Sequence, residues 1–283
     1  MPSSPTLTAA KIVSDIRPRI DNQEIDVRQI GSHLLYGMQS SGHSYGFGMN
    51  LHPFDLPLLK YGSEPPSYSS PSGNQATSLS FAMQYLQATG TAAMTSHYMK
   101  FLGAKMNTLE ISVSSQGLVE ANTDWICREI AVPTATAISG ATWPEFADIT
   151  TAALSNVDGG NKPLKINSVD YAVKDFRIQW NNNLIPDQFS GSGLIDALTT
   201  GPIDISGSFN TPIGQSLLLE TAIHDFPQTG VAAVYKVKTG VMFINMTGFK
   251  LMSDAPEGFT AGPTNTGQRV FNFKCTAAAL ATS

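Results

Sequence analysis

The most regular pattern of hydrophobic and polar positions covers residues 108–125. Leu109, Ile111 and Val113 alternate with polar residues, a Ser-Ser-Gln-Gly segment follows, and the alternation resumes from Val119 to Trp125. A period of two residues is typical of a strand that buries one face and exposes the other. The pattern therefore predicts a β-hairpin with one apolar face, one polar face and no catalytic group.

Other short runs predict further strands, and two segments carry helix signals. The first helix covers residues 54–61, contains Pro57 and is closed by Gly62, and the second has Thr211 as its cap and Pro212 in its first turn. The predicted strands are residues 45–51, 79–85, 99–105, 175–180, 203–209, 233–237, 242–246, 248–251 and 270–275.

The order of strand, helix and hairpin occurs twice along the chain, which suggests a duplicated unit. Three residues of the first half have counterparts at a nearly constant offset: Gly103 with Gly248, Lys105 with Lys250, and Cys127 with Cys275. The alternative is that any antiparallel β protein contains similar hairpins. The predicted division is an N-terminal arm (1–25), a first β half (26–133), a linker (134–165), a second β half (166–276) and a C-terminal tail (277–283).

Three long segments are predicted to be loops, namely residues 62–76, 186–202 and 254–267. Loops of this length inside a compact domain are usually functional or disordered, and in an assembly they would be contact arms. The first residues and the C-terminal tail are expected to be loose ends that become ordered only where a neighbour holds them.

Composition and charge exclude some classes of function. A chain of 283 residues with 42% hydrophobic residues can bury a large core, as one large β domain or two small ones. A net charge of -5 argues against gripping nucleic acid, which requires a positive surface. No apolar run approaches the roughly 20 residues of a membrane span, and the first residues lack the features of a secretory signal. We expect a soluble protein that is made in the cytoplasm.

Candidate catalytic and metal-binding residues do not form a recognised pattern. The five histidines lie apart, without the spacing of zinc ligands, and the segment at residues 37–42 has glutamine where a nucleophile elbow requires serine. Gly46 and Gly48 lack the third glycine of a phosphate-binding loop and indicate close backbone packing. Cys127 and Cys275 are expected to be buried free thiols, with a mutual disulfide or a shared metal site as the alternatives. The sequence predicts no catalytic residue, no cofactor and no metal.

One pair of acids has a possible chemical role. Glu110 and Glu120 could face each other across the predicted hairpin, in the manner of the two carboxylates of a glycosidase. Aromatic residues that could hold a sugar are missing nearby in the sequence. A carbohydrate-active β-sandwich therefore stays only as a less favoured alternative.

Several motifs resemble those of a known family. The segment at residues 98–113, YMKFLGAKMNTLEISV, with the hairpin return at residues 117–121, resembles the major tail tube protein of long-tailed (siphovirus-type) bacteriophages. The segment at residues 40–47, which precedes a short apolar helix, and the strand at residues 178–184, which ends in asparagines, are similar to that family too. The resemblance covers residues 26–275.

The resemblance implies a mainly β, tail-tube-type β-sandwich subunit with short peripheral helices, whose inner sheets join into a ring-shaped continuous β-barrel. Ring closure would pair sheet edges that are otherwise open to aggregation. A ring of six chains is favoured, and three chains suffice if each chain carries two tube units. The rings would stack into a tube that conducts DNA from the capsid to the host, in a virion tail assembled in the host cytoplasm.

The implied partners are other copies of the chain, the tape measure and terminator proteins of the tail, and DNA that passes without specific binding. No membrane, cofactor or enzymatic activity is implied. The alternatives within the same fold are a tail terminator, a baseplate ring protein and an injection-system tube. The polar hairpin faces would line the lumen, where acidic groups keep DNA from adhering. The candidate lumen residues are Glu110, Glu120, Asp124 and Asp204.

Overall fold

The structure is a computed structural model that describes residues 17–28, 35–51, 56–63, 79–89, 93–114, 119–134, 162–187, 195–212, 230–238, 241–256 and 268–282. Its elements in the first half are β1 (Arg17–Arg28), β2 (Leu35–Leu51), α1 (Leu56–Ser63), β3 (Leu79–Thr89), β4 (Ala93–Val113), β5 (Val119–Cys127) and β6 (Glu129–Thr134). The second half contains β7 (Leu164–Ile166), β8 (Val169–Tyr171), β9 (Phe176–Asn181), β10 (Leu184–Asp187), β11 (Ala197–Thr200), β12 (Asp204–Pro212), β13 (Val231–Lys238), β14 (Met242–Pro256), β15 (Gln268–Cys275) and β16 (Ala277–Ala281).

Eight strands form one continuous antiparallel sheet, which we call the long sheet. Its order is β1-β2-β5-β4-β9-β12-β15-β14, so β4 and β9 join the two halves of the chain. Two strands of the long sheet also take part in smaller side sheets. The first part of β4 pairs with β3 and β6, and the first part of β14 pairs with β13 and β16, while β7 and β8 extend the sheet beyond β13.

A glycine marks the point at which β4 and β14 pass from a side sheet to the long sheet. Gly103 and Gly248 both have φ of +63°, a conformation that residues with a Cβ rarely adopt. A Cβ at Gly103 would lie 2.8 Å from the side chain of Arg128, and one at Gly248 would contact Thr276. Because both the backbone angle and the space require glycine, each bend depends on this residue type.

The core lies between the long sheet and the side sheets. Aromatic rings fill it in both halves: Phe47 stacks on Trp125 at a centroid distance of 5.9 Å, and Phe176 stacks on Tyr235 at 3.8 Å. Trp125 and Trp180 are fully buried. Side chains that alternate along each strand supply these rings, since every second residue of a strand points to the same face.

The strand predictions are largely confirmed. The hairpin at residues 108–125 is the end of β4 and β5, and Leu109, Ile111 and Val113 are buried as expected. Residues 99–105 are part of β4, and the two predicted strands on either side of Thr247 are parts of the single strand β14. The first helix is α1, with Pro57 in its first turn, where its missing N–H costs no intrahelical bond.

Some predictions were wrong. Thr211 and Pro212, predicted as the cap and first turn of a helix, are the last residues of β12, and the Thr211 hydroxyl donates to the Ala172 carbonyl. The predicted loop at residues 186–202 contains part of the β10–β11 hairpin. The C-terminal tail, which was predicted to be loose, contains β16, and β16 pairs with β14. The described part of the predicted N-terminal arm, residues 17–25, lies in β1.

Other predictions lie outside the described residues. They are the body of the second helix, most of the linker at 134–165, and most of the loops at 62–76 and 254–267. The structure is therefore mainly β, with two sheet layers around an aromatic core. Within the described residues, the long sheet is open at β1 and at the part of β14 beyond Gly248, so a closed barrel stays a prediction.

Candidate lumen face and sheet edges

The long sheet has one buried face and one polar face. Along β5 the buried residues alternate with Glu120, Asn122 and Asp124, and along β9 they alternate with Arg177 and Gln179. Directly opposed residues of neighbouring strands point to the same side, so these side chains form one continuous polar surface. We call this surface the polar face.

Three of the four acidic candidates lie on the polar face in contact with a basic residue. The Arg177 guanidinium donates to the Glu110 carboxylate at 2.5 Å and joins β9 to β4. The Lys274 ammonium donates to Asp204 at 3.1 Å and joins β15 to β12. These partners are half exposed, so each pair contributes at most about 1 kcal/mol to stability.

The third pair reaches across an intervening strand. Arg19 on β1 lies 3.5 Å from Asp124 on β5, with β2 between them. A Cβ at Gly46 would lie 3.1 Å from the Arg19 guanidinium and 2.7 Å from the Trp125 carbonyl oxygen. Gly46 was predicted to allow close backbone packing, and its missing side chain also leaves room for Arg19.

The fourth candidate, Glu120, lies opposite Ser112 on β4. All four acidic candidates thus lie on the polar face, and the basic side chains described on the same face include Arg17, Arg19, Arg177, Lys250 and Lys274. Sequence reasoning missed these bases because it considered acidic residues alone. The alternation around Arg177 and around Arg19 was a signal that could have identified them.

The two acids of the glycosidase alternative are not directly opposed. Glu110 lies opposite Asn122, and Glu120 lies opposite Ser112, so the two carboxylates are diagonal neighbours. The Arg177 guanidinium binds the Glu110 carboxylate at 2.5 Å, so the partner of this carboxylate is a base on β9 and not Glu120. This arrangement disfavours the paired-acid hypothesis.

The cysteines are free thiols, as favoured from the sequence. Burial raises the pKa of Cys127 and that of Cys275 to about 12 each, so both are protonated at neutral pH and poor nucleophiles. Among the described residues, no three histidine, cysteine or acidic side chains come together as metal ligands. The structure describes the backbone of His43 and His97 but not the side chain of any of the five histidines.

Asparagines stabilise the junction at which β4 meets β9. Asn182 is buried, with 2% of its surface exposed, and its amide donates to the Met106 carbonyl at 2.9 Å and to the Gly62 carbonyl at 3.3 Å. The Asn107 side-chain oxygen accepts from the Leu184 N–H at 3.0 Å. These bonds tie α1, β4 and the end of β9 together, whereas the sequence had indicated Asn182 only as one of the asparagines that end the strand at residues 178–184.

β16 also takes part in the contact between the halves. The Trp180 indole N–H donates to the Ala278 carbonyl at 3.0 Å and links β9 to β16 within the second half, and α1 of the first half contacts β16. The halves therefore share a ladder, a helix contact and buried polar bonds. We call this region, formed by β4, β9, α1 and β16, the internal junction.

The two open edges of the long sheet contrast with the internal junction. Beyond Gly248, β14 pairs with β15 on one side, and β1 pairs with β2 on one side. Met252, on the open part of β14, has 54% of its surface exposed. An unpaired strand edge with an exposed apolar side chain is a site for pairing with another chain.

A profile of the phage tail tube protein family matches residues 5–274. The chain belongs to this family, and its function is that of a structural protein of the phage tail tube. Proteins of the family are in general not enzymes. A search of curated proteins finds no relative of the chain. In the described residues, no helix has both the length and the hydropathy that a bilayer crossing requires.

Proposed function

We propose that copies of this chain close into rings, and that the rings stack into the tail tube of a siphovirus-type phage. The observation that carries this proposal is the long sheet, which has a core on one face, polar side chains on the other and two open edges. Ring closure would pair those edges and leave the polar face as the wall of the lumen.

The charges of the polar face would suit the passage of DNA. Glu110, Glu120, Asp124 and Asp204 would line the lumen, together with the basic residues that bind three of them. A basic side chain held by a carboxylate has less attraction for phosphate than an isolated one, so the three ion pairs would weaken the attraction of the wall for the duplex. We expect DNA to pass without specific binding and without any catalytic step.

The chain would contain two tube units. The first unit supplies β1-β2-β5-β4 to the long sheet, and the second supplies β9-β12-β15-β14 in the same order. Corresponding backbone bonds support this division: the Arg128 N–H donates to the Leu102 carbonyl, and the Thr276 N–H donates to the Thr247 carbonyl, both at 3.0 Å. Six chains per ring follow the family expectation, whereas two units per chain would require only three.

The partners would be neighbouring copies within and between rings, the tape measure protein inside the tube and the terminator at its end. Assembly would take place in the host cytoplasm before the tail joins the virion. These assignments follow from the family and from the open edges of the sheet.

Electron microscopy of the purified protein tests the proposal. We expect long hollow fibres with a regular ring repeat as the protein concentration is raised. Single rings that never stack would instead indicate a terminator or a baseplate ring. A monomer that never associates, even with tail extracts, would overturn the proposal.

A further inference from the structure

We infer that the open edge of β14 in one copy pairs with β1 of the next copy in the register of the internal junction, so that three chains close a ring. This inference rests on the proposed ring. It specifies the two edges that meet, the residues that face each other and the number of chains.

The template for this contact lies within one molecule. β4 runs antiparallel to β9, and their pairing starts with Thr108 opposite Asn181 and continues to the end of β4. On β4 this pairing begins just past a register shift between Met106 and Thr108. The end of β4 is therefore an edge of the first half, and β9 of the same chain covers this edge.

β14 has the features of β4 in the same order. Gly248 has the same φ as Gly103, and a lysine follows two residues after each glycine. The register of β14 with β15 shifts between Leu251 and Ser253, as that of β4 with β5 does at the corresponding place. Ser253 therefore occupies on β14 the position of Thr108 on β4.

β1 is placed relative to β2 as β9 is placed relative to β12. Arg19 lies opposite Gly46 on β2, and Gln179 lies opposite Ser206 on β12. Gly46 and Ser206 in turn lie opposite the residues that precede the cysteines of β5 and β15. β1 and β9 therefore hold corresponding positions in the two units.

The sequence keeps the spacing that these registers define. Gln179 is 160 positions after Arg19, so Asp21 corresponds to Asn181. Identical residues occur at the same spacing in both segments: Arg17 with Arg177, Asn22 with Asn182, and Ile25 with Ile185. The pairing of β1 with β2, the pairing of β9 with β12 and the spacing of identical residues thus give the same alignment of β1 with β9.

Transfer of the internal register to the open edges gives specific contacts between copies. Ser253 of one copy lies opposite Asp21 of the next, and Asp254 lies opposite Ile20. In the long sheet, β1 runs in the same direction as β9, and β14 runs in the same direction as β4. The contact between β14 and β1 of the next copy is therefore antiparallel, like that between β4 and β9. No strand has to reverse or move for the two edges to meet.

Met252 has a defined role at this contact. It takes the position of Asn107, whose carbonyl accepts from the Asn182 N–H at 2.8 Å and whose side chain accepts from the Leu184 N–H. Inside the molecule this position is covered by the chain that leaves β9. On β14 the corresponding side chain is 54% exposed, and residues 22–24 of β1 in the next copy, which correspond to residues 182–184, would cover it.

The number of chains follows from the alternation of the two contacts and from the six unit positions that the family resemblance implies for a ring. Each chain fills two adjacent unit positions, which are joined by the internal junction, and the contact between β14 and β1 joins one chain to the next. A ring of six units therefore contains three internal junctions and three contacts between chains. In the part of the chain that the structure describes, the long sheet has one open edge at β1 and one at β14, which is what this closure requires.

Cysteine cross-linking in assembled tubes tests the register and the count together. Directly opposed residues of antiparallel strands have Cα atoms about 4.5–5.5 Å apart, within the range of a disulfide. The variant carries Asp21→Cys and Ser253→Cys, and its tubes are oxidised and analysed by denaturing gel without reductant. We expect covalent dimers and trimers, with the series ending at the trimer.

Three matched controls accompany this variant. Thr108→Cys with Asn181→Cys tests the internal template and should form a disulfide within one chain. Asp21→Cys with Asp254→Cys is out of register by one residue and should cross-link much less. The unchanged chain, whose cysteines are native, gives the background.

The outcomes separate this inference from the proposed function. Tubes that form but show no in-register cross-link, or a series that continues to six chains, would overturn the inference and leave the tube function intact. Absence of rings and tubes for the unchanged chain would overturn the proposed function itself. If the double variant does not assemble, the mass of rings of the unchanged chain decides the count, since six chains per ring would refute the inference.

Discussion

The internal junction and the open edges are the same kind of strand boundary in two different states. At the internal junction, β4 is covered by β9, the Asn182 amide donates across this boundary to the Met106 carbonyl, and the Trp180 indole N–H donates to the Ala278 carbonyl of β16. At the open edges, β14 and β1 have one strand partner each among the described residues, and Met252 is exposed. In the proposed chain of two units, the covalent link between the units would satisfy half of their edges and leave the other half for assembly.

The largest expected effect is on assembly, from Met252→Asp. Burial of an unpaired carboxylate at a strand contact is strongly unfavourable, so the protein concentration needed for assembly should rise roughly 100-fold or more. Light scattering and electron microscopy measure this change. The stability of the isolated chain should change by about 0.5 kcal/mol or less, because the side chain is exposed there.

The matched control for this substitution is Ile203→Asp, in the segment just before β12. Ile203 has 43% of its surface exposed but lies outside the strands and away from both open edges of the long sheet. Equal loss of assembly in both variants would show that Met252 has no special place in the contact.

The next effect is on the internal junction, from Trp180→Ala. Removal of a fully buried indole should lower the free energy of unfolding by about 3–5 kcal/mol. Chemical denaturation measures this value. Trp180→Phe keeps most of the volume but removes the bond to the Ala278 carbonyl, and it should cost less. An equal cost for both variants would argue that the hydrogen bond, and not the packing, stabilises the junction.

A smaller effect is expected from Asn182→Ala. The substitution leaves the Met106 and Gly62 carbonyls without their shared donor, at a cost of about 1–3 kcal/mol in unfolding free energy. Asn245→Ala on the exposed side of β14 is the control and should cost about 0.5 kcal/mol or less. Similar values for the two variants would contradict the role of Asn182 in the junction.

The smallest effect on stability is expected for Glu120→Lys and Asp204→Lys on the polar face. Both residues are exposed, so assembly should proceed with a stability change of about 1 kcal/mol or less. DNA ejection should slow, because free lysines in the lumen attract phosphate. Ejection kinetics of phage that carry both changes measure this effect, and an unchanged rate would remove the electrostatic part of the proposal. Glu120→Gln is the neutral control.

The sequence allowed the prediction of much of the strand content. Alternation located β5, β9 and the end of β4, because a strand with one buried face must have a period of two. It failed at β16, whose small residues Ala277, Ala278 and Ala279 do not carry a strong pattern. That strand is formed because β14 offers a free ladder next to it, which is a tertiary contact.

The candidate site was predictable in part. The acidic residues of the polar face follow from the alternation, but their basic partners lie on other strands and at distant positions in the chain. Glu110 and Arg177 are 67 residues apart, and only the pairing of β4 with β9 brings them together. The role of Asn182 was similarly hidden, because its acceptors belong to β4 and α1.

The sequence by itself determined the strands with clear alternation, such as β5 and β9, and which of their faces are apolar, because these depend on the period of side chains along one segment. It also determined the two bends, since only glycine readily adopts the backbone conformation of Gly103 and Gly248. Only the tertiary structure decided the strand order, the ion pairs of the polar face and which edges stay open. Those features depend on pairing between segments far apart in the chain, and a local pattern carries no information about its partner.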